Sequence, residues 1–315
     1  MLETLAALGF RSVRLPVNSD NWAGDNAVRR RAAGALQDAL EQLGKAGLGA
    51  TVDFHLGSGL YKALVNSPGE GSRLVRAAWT KLAPVLRDTS ADQVFPELLN
   101  EPPLAQEHWL PLRQELIDIV RRSCPDHAVI WGASSYQSIG ETLGCPVPKD
   151  ANSIVGVHYY TPLAFTHQCA EWDDSGFALL HDLPFPASSK SQSVKALREE
   201  LLSKGDQAAL DILDHEIETP WTEQRIENDF AVLAEWSSAH GVSVVINEFG
   251  VYSACVPPKS RITWTAAVRR AAERHGFGWS FWELDHGFGL MGDRADYRTF
   301  DVDLVAALVG EELAS

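Results

Sequence analysis

The chain has 315 residues, 45% hydrophobic and 22% charged, ordinary proportions for a globular protein long enough to bury a sizeable core. Its 27 basic against 42 acidic side chains give a formal net charge of −15, which nucleic acid and anionic membrane surfaces would repel, so neither is expected as a partner and neutral substrates fit. No apolar run reaches the length of a membrane span, and the opening Met1-Leu2-Glu3-Thr4-Leu5 lacks the basic and then apolar blocks of a signal peptide.

Leu2, Leu5 and Leu8 fall at helical spacing with Gly9 as a C-cap, followed by a strand over 10–17 whose pattern breaks at Pro16. An amphipathic helix over 28–46 closes at Gly44 and Gly47, and 49–55 reads as the next strand. A Gly/Ser/Pro loop leads to a helix near 70–86, then to a strand that delivers Asn100 and Glu101. A helix near 107–122 precedes a strand over 127–132, and a short helix precedes a strand over 153–160. Residues 161–220 interrupt this rhythm with a Pro/Ser-rich stretch and a charged helical segment at about 191–216. The rhythm resumes with a helix near 222–240, a strand over 244–249, a helix over 260–275, a strand over 276–282 and a last helix at about 301–310.

Strands that alternate with helices imply right-handed βαβ units and a parallel sheet. No GxGxxG follows a strand, so the expectation is an α/β chain of the (β/α)8 TIM-barrel type rather than a dinucleotide-binding sheet. Residues 1–315 are expected to form one domain, with the insertion at about 161–220. Only seven strands are recognisable, so the barrel is expected to lack its first strand, with exposed edges on the strands over 10–17 and 277–282.

Chemistry in such a barrel sits at the C-terminal ends of the strands, where this sequence puts Arg14, His55, Asn100, Glu101, His158, Tyr160, Glu248 and Trp282. A glutamate at the tip of a buried strand is costly unless the charge is needed there. One such residue has a plain explanation as a helix cap or surface ion pair. Two strands that both end in glutamate, Glu101 and Glu248, point instead to paired carboxylates facing one pocket. Retaining hydrolysis of a glycosidic bond uses such a pair, one nucleophile and one proton donor about 5–5.5 Å apart. A metal site is the competing reading of His55 and His158, but there is no His-x-His and no ligand set with recognisable spacing, so no metal and no cofactor are expected. Cys124, Cys145, Cys169 and Cys255 are scattered without CxxC spacing, which leaves their pairing open.

Leu99-Asn100-Glu101-Pro102 and Ile246-Asn247-Glu248-Phe249-Gly250 resemble the two catalytic signatures of glycoside hydrolase family 5, the family of many endoglucanases. Val13-Arg14-Leu15-Pro16, Asp53-x-His55, His158-x-Tyr160 and the strand carrying Trp279 and Trp282 appear in the family's order, so the resemblance runs from about residue 5 to the C-terminus. It implies Glu101 as general acid/base and Glu248 as nucleophile. It also implies Asn100 on the sugar 2-hydroxyl, Arg14 beneath the nucleophile, Tyr160 donating to Glu248, His158 beside the acid/base and His55 on the floor. Trp282 would be the wall under the sugar, with a cis peptide to Glu283.

Trp22, Tyr136 and Trp172, expected in loops after strands, are possible further subsites, with simple packing at least as good an explanation for each. Trp79, Trp109, Trp236 and Trp264 lie in expected helices and read as core. The loop over 161–190, with Phe165-Thr166-His167-Gln168 and Glu171-Trp172, resembles a rim loop of bacterial members. The partner implied is a β-linked polysaccharide or oligosaccharide, and the activity an endo-β-1,4-glucanase. A β-mannanase, an exo-acting β-glucosidase and a non-catalytic carbohydrate-binding barrel or truncated inactive enzyme remain alternatives. Family members are commonly secreted or periplasmic; compartment and oligomeric state are left open.

Overall fold

A computed structural model describes residues 1–172 and 175–310. Its strands are β1 Ser12–Asn18, β2 Gly49–His55, β3 Val94–Glu97, β4 Val129–Trp131, β5 Ser153–His158, β6 Ser243–Glu248 and β7 Gly278–Trp279. They total seven among the described residues, and no eighth lies in a segment expected to be loop. Two compact units divide the chain, Met1–His158 with Trp236–Asn247, and Tyr159–Glu235 with Glu248–Ser315.

In the first unit the strands follow one another in the sheet in chain order, and β1 through β5 pair in parallel. The register sets Arg14 beside Thr51 and Asp53 beside Glu97, so charged side chains of neighbouring strands fall close to one level. Residues 50–54 of β2 are all buried, as expected of a parallel strand covered on both faces. β1 is different. It opens the strand order, and Ser12, Pro16 and Asn18 are exposed, which suits a proline that cannot donate to a ladder. The edge expected on this strand is therefore present.

Helix Asn26–Lys45 begins at Asp25, whose carboxylate accepts from the Ala27 and Val28 amides. The loop expected after β2 is instead a helix, Ser58–Asn66, followed by Pro68–Leu82 with proline in its first turn. The Asp20 carboxylate accepts from the Gly59 and Leu60 amides, satisfying donors at the start of Ser58–Asn66 from outside the helix. That support comes from a distant part of the chain, which is why local composition did not announce the helix.

In the second unit the segment expected as one charged helix is two, Gln192–Lys204 and Gln207–Ile217, broken by Gly205 at φ 76. The strand expected over 276–282 narrows to β7. No helix among the described residues is long and apolar enough to cross a membrane. Trp79, Trp109, Trp236 and Trp264 are all buried, as their helical positions required.

Cys169 and Cys255 form a disulfide across 86 residues of sequence, tying the loop after β5 to the loop after β6; Cys124 and Cys145 are buried free thiols. Burial pushes the Cys124 thiol up to about 11, so it behaves as a small apolar side chain. Replacing both Cys169 and Cys255 with serine is expected to cost about 2–4 kcal/mol through the freed unfolded chain, read as a lower urea midpoint for the variant than for the oxidised protein.

Candidate active site

In the first unit the site is built on a guanidinium. Arg14 projects from β1 with only 4% of its side chain exposed. Its Nε donates to Glu97 Oε2 at 2.8 Å, and its Nη2 donates to Glu97 Oε1 and to Asn100 Oδ1, both at 2.7 Å. Asp53 Oδ2 lies 3.1 Å from the same Nη2 and 2.8 Å from His55 Nδ1. Asn247 Nδ2 donates to Glu97 Oε1 at 2.8 Å. Asp53, Glu97, Asn100 and Asn247 are all buried, so each charge here is held by hydrogen bonds rather than by water.

Burial is the largest influence on both acids. For Asp53 it is outweighed by Arg14 and then by His55, so its carboxyl sits below the usual range. For Glu97 burial prevails over Arg14, and the neighbouring Asp53 adds to the rise. Glu97 and Gln137 are functional candidates that sequence reasoning overlooked. A glutamate inside the apolar Val94-Phe95-Pro96-Glu97-Leu98 was the available signal for the first, by the same logic that singled out Glu248. Nothing local marked the second.

Glu101 follows β3 in a left-handed conformation, φ 41, just before Pro102. Its carboxyl is one-third exposed, with Oε1 2.9 Å from the buried His158 Nδ1. Its backbone N–H donates to Gln137 Oε1 at 2.6 Å. The structure thus brings His158 beside Glu101 and Asn100 beside Arg14.

In the second unit Glu248 ends β6 with 7% exposure, and Tyr160 Oη donates to its Oε1 at 2.8 Å. The Tyr159 N–H donates to the Glu248 backbone carbonyl at 2.9 Å, which continues strand-like pairing to the carboxylate's own residue. Trp282 N–H donates to Phe249 O at 2.8 Å, and the Trp282–Glu283 peptide is cis, as the resemblance implied. A side chain at position 250 would meet Trp282 O at 2.1 Å, so the glycine there is what admits this backbone. The Glu283 carboxyl is raised by burial, with lesser upward pushes from Asp285 and Glu248 against His286 and the Phe288 amide.

The three possible subsite aromatics divide. Trp22 is corrected: it lies in a short helix, Asp20–Ala23, with 0% exposure, so its ring has no face for a sugar. That helix packs against Pro68–Leu82, whose Lys81 donates to the Trp22 carbonyl at 3.3 Å. Tyr136 is 72% exposed. Trp172 is 55% exposed and meets Tyr252 edge to face at 5.0 Å, with His167 and Phe288 also against it. Residues 173 and 174 of the expected rim loop lie outside the described residues.

Parallel βα repeats whose strand ends carry hydrogen-bonded carboxylates, amides and aromatics belong to the (β/α)8-barrel class of fold. The sequence profile of Cellulase (glycosyl hydrolase family 5) matches residues 1–287, and the chain belongs to that family. It is 23% identical over 307 residues to Endoglucanase 3 of Fibrobacter succinogenes, covering 92% of this chain and 46% of that protein. It is 24% identical over 293 residues to Endoglucanase C of Acetivibrio thermocellus, covering 89% and 82%. The chain thus spans less than half of the first relative and most of the second. Thermotoga maritima Cel5A, solved with cellobiose and with mannotriose, superposes with a TM-score of 0.75 at 27% identity over 98% of this chain and 88% of that one.

Proposed function

We propose that this chain is a retaining glycoside hydrolase that cleaves β-glucosidic bonds of a glucan, in the manner of an endo-β-1,4-glucanase. The observation that carries the reading is the hydrogen bond from Tyr160 Oη to Glu248, a carboxylate buried at the end of an apolar strand in a family 5 sequence. That bond stabilises the ionised form and aims one oxygen, which is what a nucleophile needs.

In the first displacement Glu248 attacks the anomeric carbon while the bond to the leaving sugar breaks, and Glu101 gives its proton to the departing oxygen. In the second, Glu101 takes a proton from water, whose oxygen displaces Glu248 and restores the starting configuration. His158 Nδ1, 2.9 Å from Glu101 Oε1, fixes the direction in which this carboxyl faces. Asn100, with Oδ1 taken by Arg14, presents its amide nitrogen as the donor for the sugar 2-hydroxyl. Trp282 offers an aromatic face to the apolar face of a pyranose.

Trapping with a 2-deoxy-2-fluoro-cellobioside bearing a good leaving group tests this. A glycosyl adduct on the peptide containing Glu248 is expected; binding without an adduct would favour a non-catalytic carbohydrate-binding barrel and overturn the reading. Mannan is the second substrate class, favoured by the mannotriose complex of the Thermotoga relative. Hydrolysis rates on carboxymethylcellulose, lichenan and mannan discriminate the two, with the glucans expected to be cleaved faster.

A further inference from the structure

The loop after β4 does something that the roles above do not use. It contains two left-handed non-glycine residues, Ser135 at φ 65 and Gln137 at φ 52, and it closes on the equally left-handed Glu101. Such conformations persist only where the surroundings hold them. Ser135 N–H donates to Pro102 O at 2.8 Å, and Gln137 Oε1 accepts from Glu101 N–H at 2.6 Å. Pro102 has no N–H of its own, so the Glu101 amide is the donor by which this turn can be gripped on that side.

Gln137 is wholly buried and committed at three points. Beyond the Glu101 amide, its Nε2 donates to Gly156 O at 3.3 Å, and its backbone carbonyl accepts from His158 N–H at 2.9 Å. His158 in turn meets the Glu101 carboxyl through Nδ1. The circuit is closed: the Gln137 side chain holds the Glu101 backbone, and the Gln137 backbone holds the residue that touches the Glu101 side chain. The Gln137 side chain packs against residue 132, just past β4, which admits it as a glycine; a Cβ there would come within 2.1 Å of Gln137 Nε2. The neighbouring Tyr136 is exposed, and Ser138 starts the capping box of helix Ile139–Leu143, so the helix start fixes where Gln137 sits.

We propose that Gln137 is a positioning residue for Glu101, setting the direction in which the acid/base presents its carboxyl. The inference rests on the reading of Glu101 as the acid/base. Catalytic groups must be held to within about 0.5 Å, and a displacement of about 1 Å costs on the order of 100-fold in rate.

The test exploits leaving groups. A dinitrophenyl cellobioside departs without protonation, whereas cellotetraose needs the acid, so a misplaced Glu101 harms kcat/KM for the second alone. Gln137→Met keeps the volume and removes the acceptor. It is expected to lose about 100-fold in kcat/KM on cellotetraose, to stay within about threefold on the dinitrophenyl substrate, and to recover kcat on the latter with azide, giving a β-glycosyl azide. Gln137→Glu keeps the acceptor oxygen and is expected to recover most of the cellotetraose rate. Thermal unfolding of each variant is followed alongside; if Gln137→Met does not fold, Gln137→Asn, one methylene shorter, is read on the same substrates. Equal losses on both substrates, or none, would overturn the proposal. Glu101→Ala is the control: if it lacks the selective pattern, the acid/base assignment falls and takes the proposal with it, whereas selectivity in Glu101→Ala alone removes only the role of Gln137.

Discussion

Glu248→Ala is expected to lower kcat on β-glucan by on the order of 10⁴–10⁶-fold, the size of effect seen when a hydrolase loses its covalent nucleophile. The fold should survive, because removing a carboxylate from the end of an apolar strand removes a desolvation cost along with the hydrogen bond from Tyr160. Product stereochemistry is the sharper measurement. With an activated β-cellobioside and azide, Glu248→Ala should yield the α-glycosyl azide, since azide enters from the face the nucleophile vacated; Glu101→Ala should yield the β-azide. The same azide product from both variants would contradict the assigned roles. Tyr160→Phe keeps the ring against His167 and Phe288 and deletes only the hydroxyl. A loss of about 10- to 100-fold in kcat is expected, the worth of one hydrogen bond to a charged group.

Arg14→Leu is expected to destabilise the protein by about 3–5 kcal/mol, because it leaves two buried carboxylates without their cation. The deficit should depend on pH in a definite direction. With Arg14 present the Asp53 carboxyl is held below its usual range; without it, burial is set against the weaker pull of His55 and His158, and both acids are expected to hold their protons to higher pH than in the unfolded chain. A carboxyl raised on folding contributes stability below its unfolded pKa and loses it as pH rises through the folded one. The variant should therefore lie closest to the wild type in acid and fall furthest behind near neutrality. Urea unfolding of both proteins at several pH values measures this, and a deficit constant across pH would contradict the account. Activity should fall as well, since Asn100 Oδ1 loses the donor that orients it.

Charged residues set into apolar strands made the larger part of this site legible. Arg14 and Glu248 stand where a charge is expensive, and the cheap explanation for such a residue is a partner close by, whereas Glu101 follows its strand with a third of its carboxyl exposed. Glu97 obeys the same rule and was passed over because the more conspicuous Asn100-Glu101-Pro102 lies three residues on. Trp22 failed for the opposite reason. A tryptophan after a strand looks available, but whether its face is open depends on the Pro68–Leu82 helix packed against its own.

The alternation of strand and helix, and with it the parallel sheet and the side on which polar residues collect, follows from hydrophobic period and turn residues along the chain, since both act over a few residues. Which of those residues answer one another is a matter of contacts across large sequence separations. Asn247 reaches Glu97 over 150 residues, and Gln137 reaches the Glu101 amide over 36. A hydrogen bond is short and directional, so such partnerships come into being only once the strands are in register and the loops between them have closed.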